Sequence, residues 1–221
     1  MELWLDTVDY EIIKNASQLG VLTGVTTNPS SWAKANDCPE KVLEVLLDIQ
    51  AGYVAAQVTA SDCSEMLKQA ERLTSLCNRI VVKIPASPEG FRAIALLNQD
   101  GVQTLATSIF DVRQVIVSAI VGATYAIPHF SCMAEDVSSR FMQLYGVMNE
   151  QKYKTKIMAS EVGSAEQFVD CVALGVPAIT VSGEVYAALF LPSERMEEGL
   201  SRFAYDWALS SQAAESSLFA R

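Results

Sequence analysis

The chain has one histidine, His129, and no C-x-x-C pair, so it carries no cysteine/histidine set at zinc-ligand spacing. Its cysteines (Cys38, Cys63, Cys77, Cys132 and Cys171) are five, an odd number, and widely spaced. That pattern argues against a disulfide framework and for a reduced, cytoplasmic chain. Basic residues are in the minority: 16 Lys and Arg stand against 26 Asp and Glu, a net charge of −10. An acidic surface repels nucleic acid and anionic lipid, so neither is expected as a partner. No apolar run reaches the ~18 residues of a membrane helix, and the opening MELWLDTVDY lacks the basic start of a signal peptide. Neither GxGxxG nor GxxxxGK[ST] is present, which leaves a nucleotide-binding open sheet with little support. There is no low-complexity linker and no clear repeat.

What is present is core-forming material. Half of the 221 residues are hydrophobic, and mean hydropathy is +0.21. Eight β-rich runs recur along the chain: ELWLD at 2–6, VLTGVTT at 21–27, YVAAQVT at 53–59, RIVVKIP at 79–85, VQTLATSI at 102–109, TYAIPHF at 124–130, TKIMAS at 155–160 and AITVSG at 178–183. Helix-like stretches separate most of them. In EMLKQAERLTSLC, Met66, Leu67, Ala70, Leu73 and Leu76 fall on one helical face. Ser87-Pro88-Glu89 supplies an N-cap with proline at the first helical position, and Ser164–Gln167 fits a capping box. Alternating strands and helices imply parallel pairing through right-handed crossovers. The count of eight favours a closed (β/α)8 TIM barrel over an open doubly wound sheet, with the whole chain, 1–221, as one barrel domain. An additional C-terminal helix is expected over about 193–212. Its stripe of Leu200, Phe203, Ala204, Trp207 and Ala208 packs either on the barrel's own flank or on a neighbouring subunit.

Active sites of such barrels gather at the C-terminal ends of the strands. There the sequence places Asp6, then Thr26, Thr27 and Asn28, then Gln57 and Thr59, Lys83, Thr107 and Ser108, His129, Ser160 and Glu161, and Ser182. Asp6 and Glu161 alone make a poor metal cage, so no metal is expected. Lys83 stands out because valines and isoleucine flank it in IVVKIP. Burial disfavours an ammonium and frees the amine to attack carbonyls. The alternative is a lysine paired with a neighbouring carboxylate, or one snorkelling off an edge strand.

Taken together, LDT at 5–7, GVTTNPS at 24–30, AQV at 56–58, VVKIP…EG at 81–90, TLAT at 104–107, DCVALGVPAIT at 170–180 and FAYDW at 203–207 resemble the small transaldolase family, most closely its fructose-6-phosphate aldolase branch. The resemblance spans essentially the whole chain. It implies a class I aldolase that needs no cofactor, takes a small hydroxyketone and an aldehyde, and assembles as a homo-oligomer, a decamer in this branch. By position, Lys83 would form the Schiff base and Asp6 would handle protons beside it. Asn28, with Thr26 nearby, would hold a donor hydroxyl. Gln57 and Thr107 would position a water, and glutamine rather than glutamate at 57 resembles the aldolase branch over the transaldolases.

Three positions depart from that pattern. His129 stands where the branch has tyrosine and transaldolases have phenylalanine. An imidazole can donate, accept and shuttle a proton near neutral pH, so an acid/base role is favoured over a passive wall. Cys132 stands where a phosphate-binding arginine is found, and Glu161 where a phosphate-binding serine is found, with Ser160 adjacent and a one-residue slip left open. Arg113 and Arg140 fall in predicted helices. The expected acceptor is therefore an aldehyde without phosphate. Two other functions stay open: transaldolase transfer of a dihydroxyacetone unit between sugars, and an altered barrel that only binds a carbonyl ligand or a partner.

Overall fold

The computed structural model describes residues 1–35, 37–129 and 137–209, with side chains in the last stretch from Phe141 onward. All eight expected strands form: β1 (Glu2–Asp6), β2 (Leu22–Thr26), β3 (Tyr53–Gln57), β4 (Ile80–Pro85), β5 (Thr104–Ile109), β6 (Tyr125–Pro128), β7 (Lys156–Val162) and β8 (Ala178–Val181). Each pairs in parallel with its chain neighbour, and β1 pairs with β8 to close a (β/α)8 barrel. A closed barrel has no edge strand, so Lys83 on β4 has no edge to snorkel from. The chain divides into two compact units, Met1–Tyr186, which holds the barrel, and Ala187–Arg221. The second contains the C-terminal helix α10 (Glu194–Leu209), all of whose residues are at least partly exposed.

The intervening helices begin where the sequence supplies caps. Asp62 caps α4 (Cys63–Leu76) through the amide of Glu65, and Ser87 caps α5 (Pro88–Gln99) with Pro88 in the first turn. Met66 and Ala70 of α4 are buried, as are Ala93, Ile94 and Leu97 of α5, while Leu76 is exposed at the end of its helix. At α8 (Ala165–Ala173) the expected capping box forms only by half. Ser164 Oγ accepts from the Gln167 amide, but Gln167 Oε1 accepts from the Gly163 amide, one residue before the cap.

Because strand side chains alternate between faces, every strand packs against the helices, and every strand but β2 also contributes to a second core inside the barrel. Outward residues such as Val54, Val82, Ile84 and Ala106 meet the helices. Inward residues Trp4, Ala55, Val81, Leu105, Tyr125, Ile127, Met158 and Ala178 fill the barrel. The Trp4 ring is stacked on Tyr53 at 6.1 Å and edge-on to Tyr125 at 5.4 Å, closing the lower half of the lumen. Glu2 accepts from Trp4 Nε1 and pairs with Lys156 below this plug. Room for the indole comes from Gly24 on β2. A Cβ there would lie 2.5 Å from the Tyr53 carbonyl oxygen and 2.6 Å from the Trp4 ring. Gly24→Ala is expected to lower stability by about 1–3 kcal/mol through overpacking, read as a lower urea midpoint at unchanged m-value.

Candidate active site

Two residues beyond each plug residue, toward the C-terminal end of its strand, the next inward side chain is polar on seven strands. The pairs run Trp4 to Asp6, Gly24 to Thr26, Ala55 to Gln57, Val81 to Lys83, Leu105 to Thr107, Met158 to Ser160 and Ala178 to Thr180. On β6 the apolar Ile127 holds that level, and His129 follows just past the strand end. The period-2 alternation thus raises a polar ring above an apolar floor. The ring opens into a cavity of about 510 Å³. Asp6, Thr26, Asn28, Gln57, Lys83, Thr107, Ser108, His129, Ser160 and Glu161 all line it. Cys132 lies outside the described residues.

Lys83 is buried, 7% exposed, with Val81, Val82 and Ile84 fully buried around it. Its Nζ donates to the Thr27 carbonyl at 3.4 Å. Burial pushes its pKa below the usual lysine range, while the charge of Asp6 opposes that shift. Asp6 is open to the cavity on one side and crowded by protein on the others. Its pKa is raised by this desolvation, against the pull of Lys83 and of a Thr26 hydroxyl bond. Each burial-driven shift favours the uncharged form, so the pair can hold an amine nucleophile beside a proton donor.

A hydroxyl chain supports Asp6. Thr26 Oγ donates to Asp6 at 3.3 Å and lies 2.9 Å from Thr180 Oγ, which must then act as donor to Thr26. Thr180 was not among the sequence candidates. Its signal is in the sequence, since it lies two residues after the inward Ala178, whereas Ser182 lies beyond the end of β8. Ser182, Pro29 and Ser30 also line the cavity. Asn28 is the N-cap of the short helix α2 (Pro29–Trp32): its Oδ1 accepts from the Ser31 amide, and Ser31 Oγ accepts from the Asn28 amide. The Asn28 Nδ2 therefore remains as a donor for a substrate oxygen. Thr27 and Thr59 do not belong to the ring. Thr27 Oγ donates to the Ala55 carbonyl, and Thr59 is tied to Gln69 of α4.

The far wall is built from two backbone departures. Ser108 and Glu161 both have left-handed backbones, φ +57° and +59°. They lie where the β5–β6 and β7–β8 registers slip, on the strands flanking β6. Strict alternation would turn Glu161 away once Ser160 points inward; the left-handed residue lets both line the cavity. Glu161 Oε1 is 2.9 Å from His129 Nδ1. The imidazole is stacked on Phe110, centroids 4.9 Å apart and planes 9° from parallel. Arg113, at the start of α6 (Val112–Ile120), pairs with Asp111 at 2.9 Å on the exposed surface and does not line the cavity. Lys83 is the only lysine or arginine among the described residues lining it. Among the described residues, no three His, Cys, Asp or Glu side chains converge as a metal-ligand set. Nor is any described helix long and apolar enough to cross a membrane.

Fold and site thus define a (β/α)8 barrel with a buried lysine in a polar ring at the C-terminal ends of its strands. The family model described as Transaldolase/Fructose-6-phosphate aldolase matches residues 3–217, and the chain belongs to that family. It is 34% identical to a probable transaldolase of Coprothermobacter proteolyticus, over 94% of this chain and 97% of the relative. It is 33% identical to a probable transaldolase of Lactiplantibacillus plantarum, over 94% and 96%. Among solved structures, orotidine 5'-monophosphate decarboxylase from Sulfolobus solfataricus is similar with a TM-score of 0.61 at 12% identity, covering 85% of this chain and 90% of that one. That likeness is one of fold alone.

Proposed function

We propose that this protein is a class I aldolase that joins a small hydroxyketone such as dihydroxyacetone to an aldehyde, or runs the reverse cleavage. The observation that carries this reading is Lys83, buried inside the barrel with its ammonium form disfavoured and Asp6 facing the same cavity. Lys83 Nζ attacks the ketone carbonyl, water leaves, and the iminium draws electrons from the adjacent carbon to give an enamine. Asp6 assists proton transfer at the carbinolamine. Asn28 and Thr26 hold the donor hydroxyls. Gln57, Thr107 and His129 hold the water through which protons pass, and His129 takes the acid/base part that tyrosine has in the aldolase branch. No cofactor is required, because the iminium is the electron sink. The test is borohydride trapping with dihydroxyacetone and with hydroxyacetone, followed by peptide mass mapping. An adduct on Lys83 is expected; a folded protein without one overturns the mechanism.

The acceptor end of the cavity, formed by Ser108, Ser160 and Glu161, presents a carboxylate where a phosphate would need a cation. The acceptor is therefore a neutral aldehyde, or one with a cationic group facing Glu161. Glyceraldehyde is expected to exceed glyceraldehyde 3-phosphate in kcat/KM by roughly tenfold, equivalent to ~1.4 kcal/mol. A preference for the phosphate ester overturns this assignment.

A second reading is transaldolase transfer, favoured by the relatives named probable transaldolase. Gln57 supports the aldolase instead. Release of free dihydroxyacetone from a ketose substrate separates the two, since a transaldolase retains the unit for a second sugar. A barrel that only binds a carbonyl compound is a third reading, and the Asp6, Asn28 and Lys83 set argues against it. Assembly as a homo-oligomer, a decamer by the family resemblance, is supported by the exposed Leu200, Phe203 and Trp207 of α10. Light scattering of the purified protein tests it. The charge balance and cysteine pattern support a cytoplasmic location and no nucleic-acid or membrane partner.

A further inference from the structure

We propose that Glu161 is a positioning residue that holds His129 with its proton on Nδ1, leaving Nε2 as the proton acceptor of the reaction. The catalytic half of this inference rests on the aldol reading above; the tautomer half does not. An ionised carboxylate only accepts hydrogen bonds. With Glu161 Oε1 at 2.9 Å, Nδ1 is the ring nitrogen that must carry hydrogen. Which imidazole nitrogen reacts is set by the hydrogen bond that the other one makes. Nε2 is then the site that gains and loses a proton.

The arrangement is built rather than incidental. His129 is fixed on three counts: its amide donates to the Ile109 carbonyl at 2.9 Å, its ring lies on Phe110, and Nδ1 meets Glu161. Glu161 reaches it only through a left-handed backbone, φ +59°, which a non-glycine residue adopts at a cost. The two side chains keep 34% and 48% of their exposure, so as an ion pair they add little to stability. A device that strains the backbone for little stability is explained by its effect on the ring. Asp6 and Lys83 are the other charged side chains lining the cavity among the described residues.

In the cleavage direction, Nε2 takes the proton of the hydroxyl on the carbon beyond the bond to be broken in the Lys83 adduct. That carbon becomes the aldehyde carbonyl, and the electron pair of the broken C–C bond flows into the iminium to form the enamine. The proton on Nε2 then passes, through water, to the enamine carbon, and hydrolysis frees Lys83. No oxidant, reductant or further reactant is needed.

The single histidine makes the test direct. Tag-free protein labelled with [15N]histidine has one imidazole, and its 15N shifts report which nitrogen carries hydrogen. In the neutral ring of the wild type, hydrogen is expected on Nδ1. Glu161→Gly, which tolerates the left-handed backbone, is expected to move it to Nε2. The same variant should lower kcat for aldol cleavage by about 10- to 100-fold with borohydride trapping at Lys83 unchanged. Glu161→Gln, whose amide oxygen still accepts from Nδ1–H, is expected to restore the tautomer and most of kcat. A wild type protonated on Nε2 overturns the proposal, as does a glycine variant with wild-type kcat. Loss of trapping in the wild type would instead remove the aldol reading, and the 15N result would stand apart from it.

Discussion

Lys83→Met is expected to lower aldol turnover by about 10⁴-fold or more and to abolish borohydride trapping, because no other amine among the described residues lines the cavity. The same variant should be more stable than the wild type at neutral pH, on the order of 1 kcal/mol, since an ammonium that is poorly solvated in the fold is replaced by an apolar chain of similar length. The sign follows from the direction of the shift. Lys83 has a folded pKa below its value in the unfolded chain, with burial as the cause. Between those two values the unfolded chain binds the extra proton, so wild-type stability rises with pH across that window. Methionine removes the slope. Asp6 keeps its access to solvent through the cavity, which limits the cost of losing its neighbour's charge. Urea unfolding at pH 7 and pH 9 measures both effects: a wild-type advantage at pH 7, or an equal slope in the two proteins, contradicts the burial argument.

His129→Phe separates chemistry from covalent capture. Turnover is expected to fall by about 10²-fold or more, while trapping at Lys83 proceeds at the wild-type rate. Phenylalanine retains the planar ring that lies on Phe110 and roughly the same volume. Stability should therefore change by less than about 1 kcal/mol, in line with the loss of one solvent-exposed hydrogen bond. Single-turnover trapping and steady-state cleavage of the same ketose give the two rates. Equal turnover in the variant and the wild type would return His129 to the role of a pocket wall.

The strands were legible because a closed barrel repeats one local pattern eight times. Runs such as RIVVKIP are apolar on both faces, since one face meets the helices and the other fills the lumen. A polar residue interrupting such a run near its C-terminal end reads directly as a site residue, as with Asp6, Gln57 and Lys83. The same alternation selects Thr180 as the inward residue of β8, and Thr59 leaves the ring because past the end of β3 it binds Gln69 of α4. Its position just past β2 placed Asn28 at the cavity rim, but its role as cap of α2, and hence which amide atom the turn leaves unused, appears only with the turn formed.

The sequence by itself determined the eight-fold alternation, the helix start at Ser87, the apolar setting of Lys83 and the family, because each is carried by residues near one another in the chain or by their spacing. The tertiary structure decided what depends on barrel closure. It set the loss of hydration that shifts Lys83 and Asp6, the hydroxyl chain from Thr180 on β8 through Thr26 on β2 to Asp6 on β1, and the meeting of Glu161 with His129 across 32 positions of sequence. Nothing local announces that Glu161 will adopt a left-handed backbone and face the cavity. That orientation follows from a register slip between β7 and β8, and a register exists only once both strands are paired.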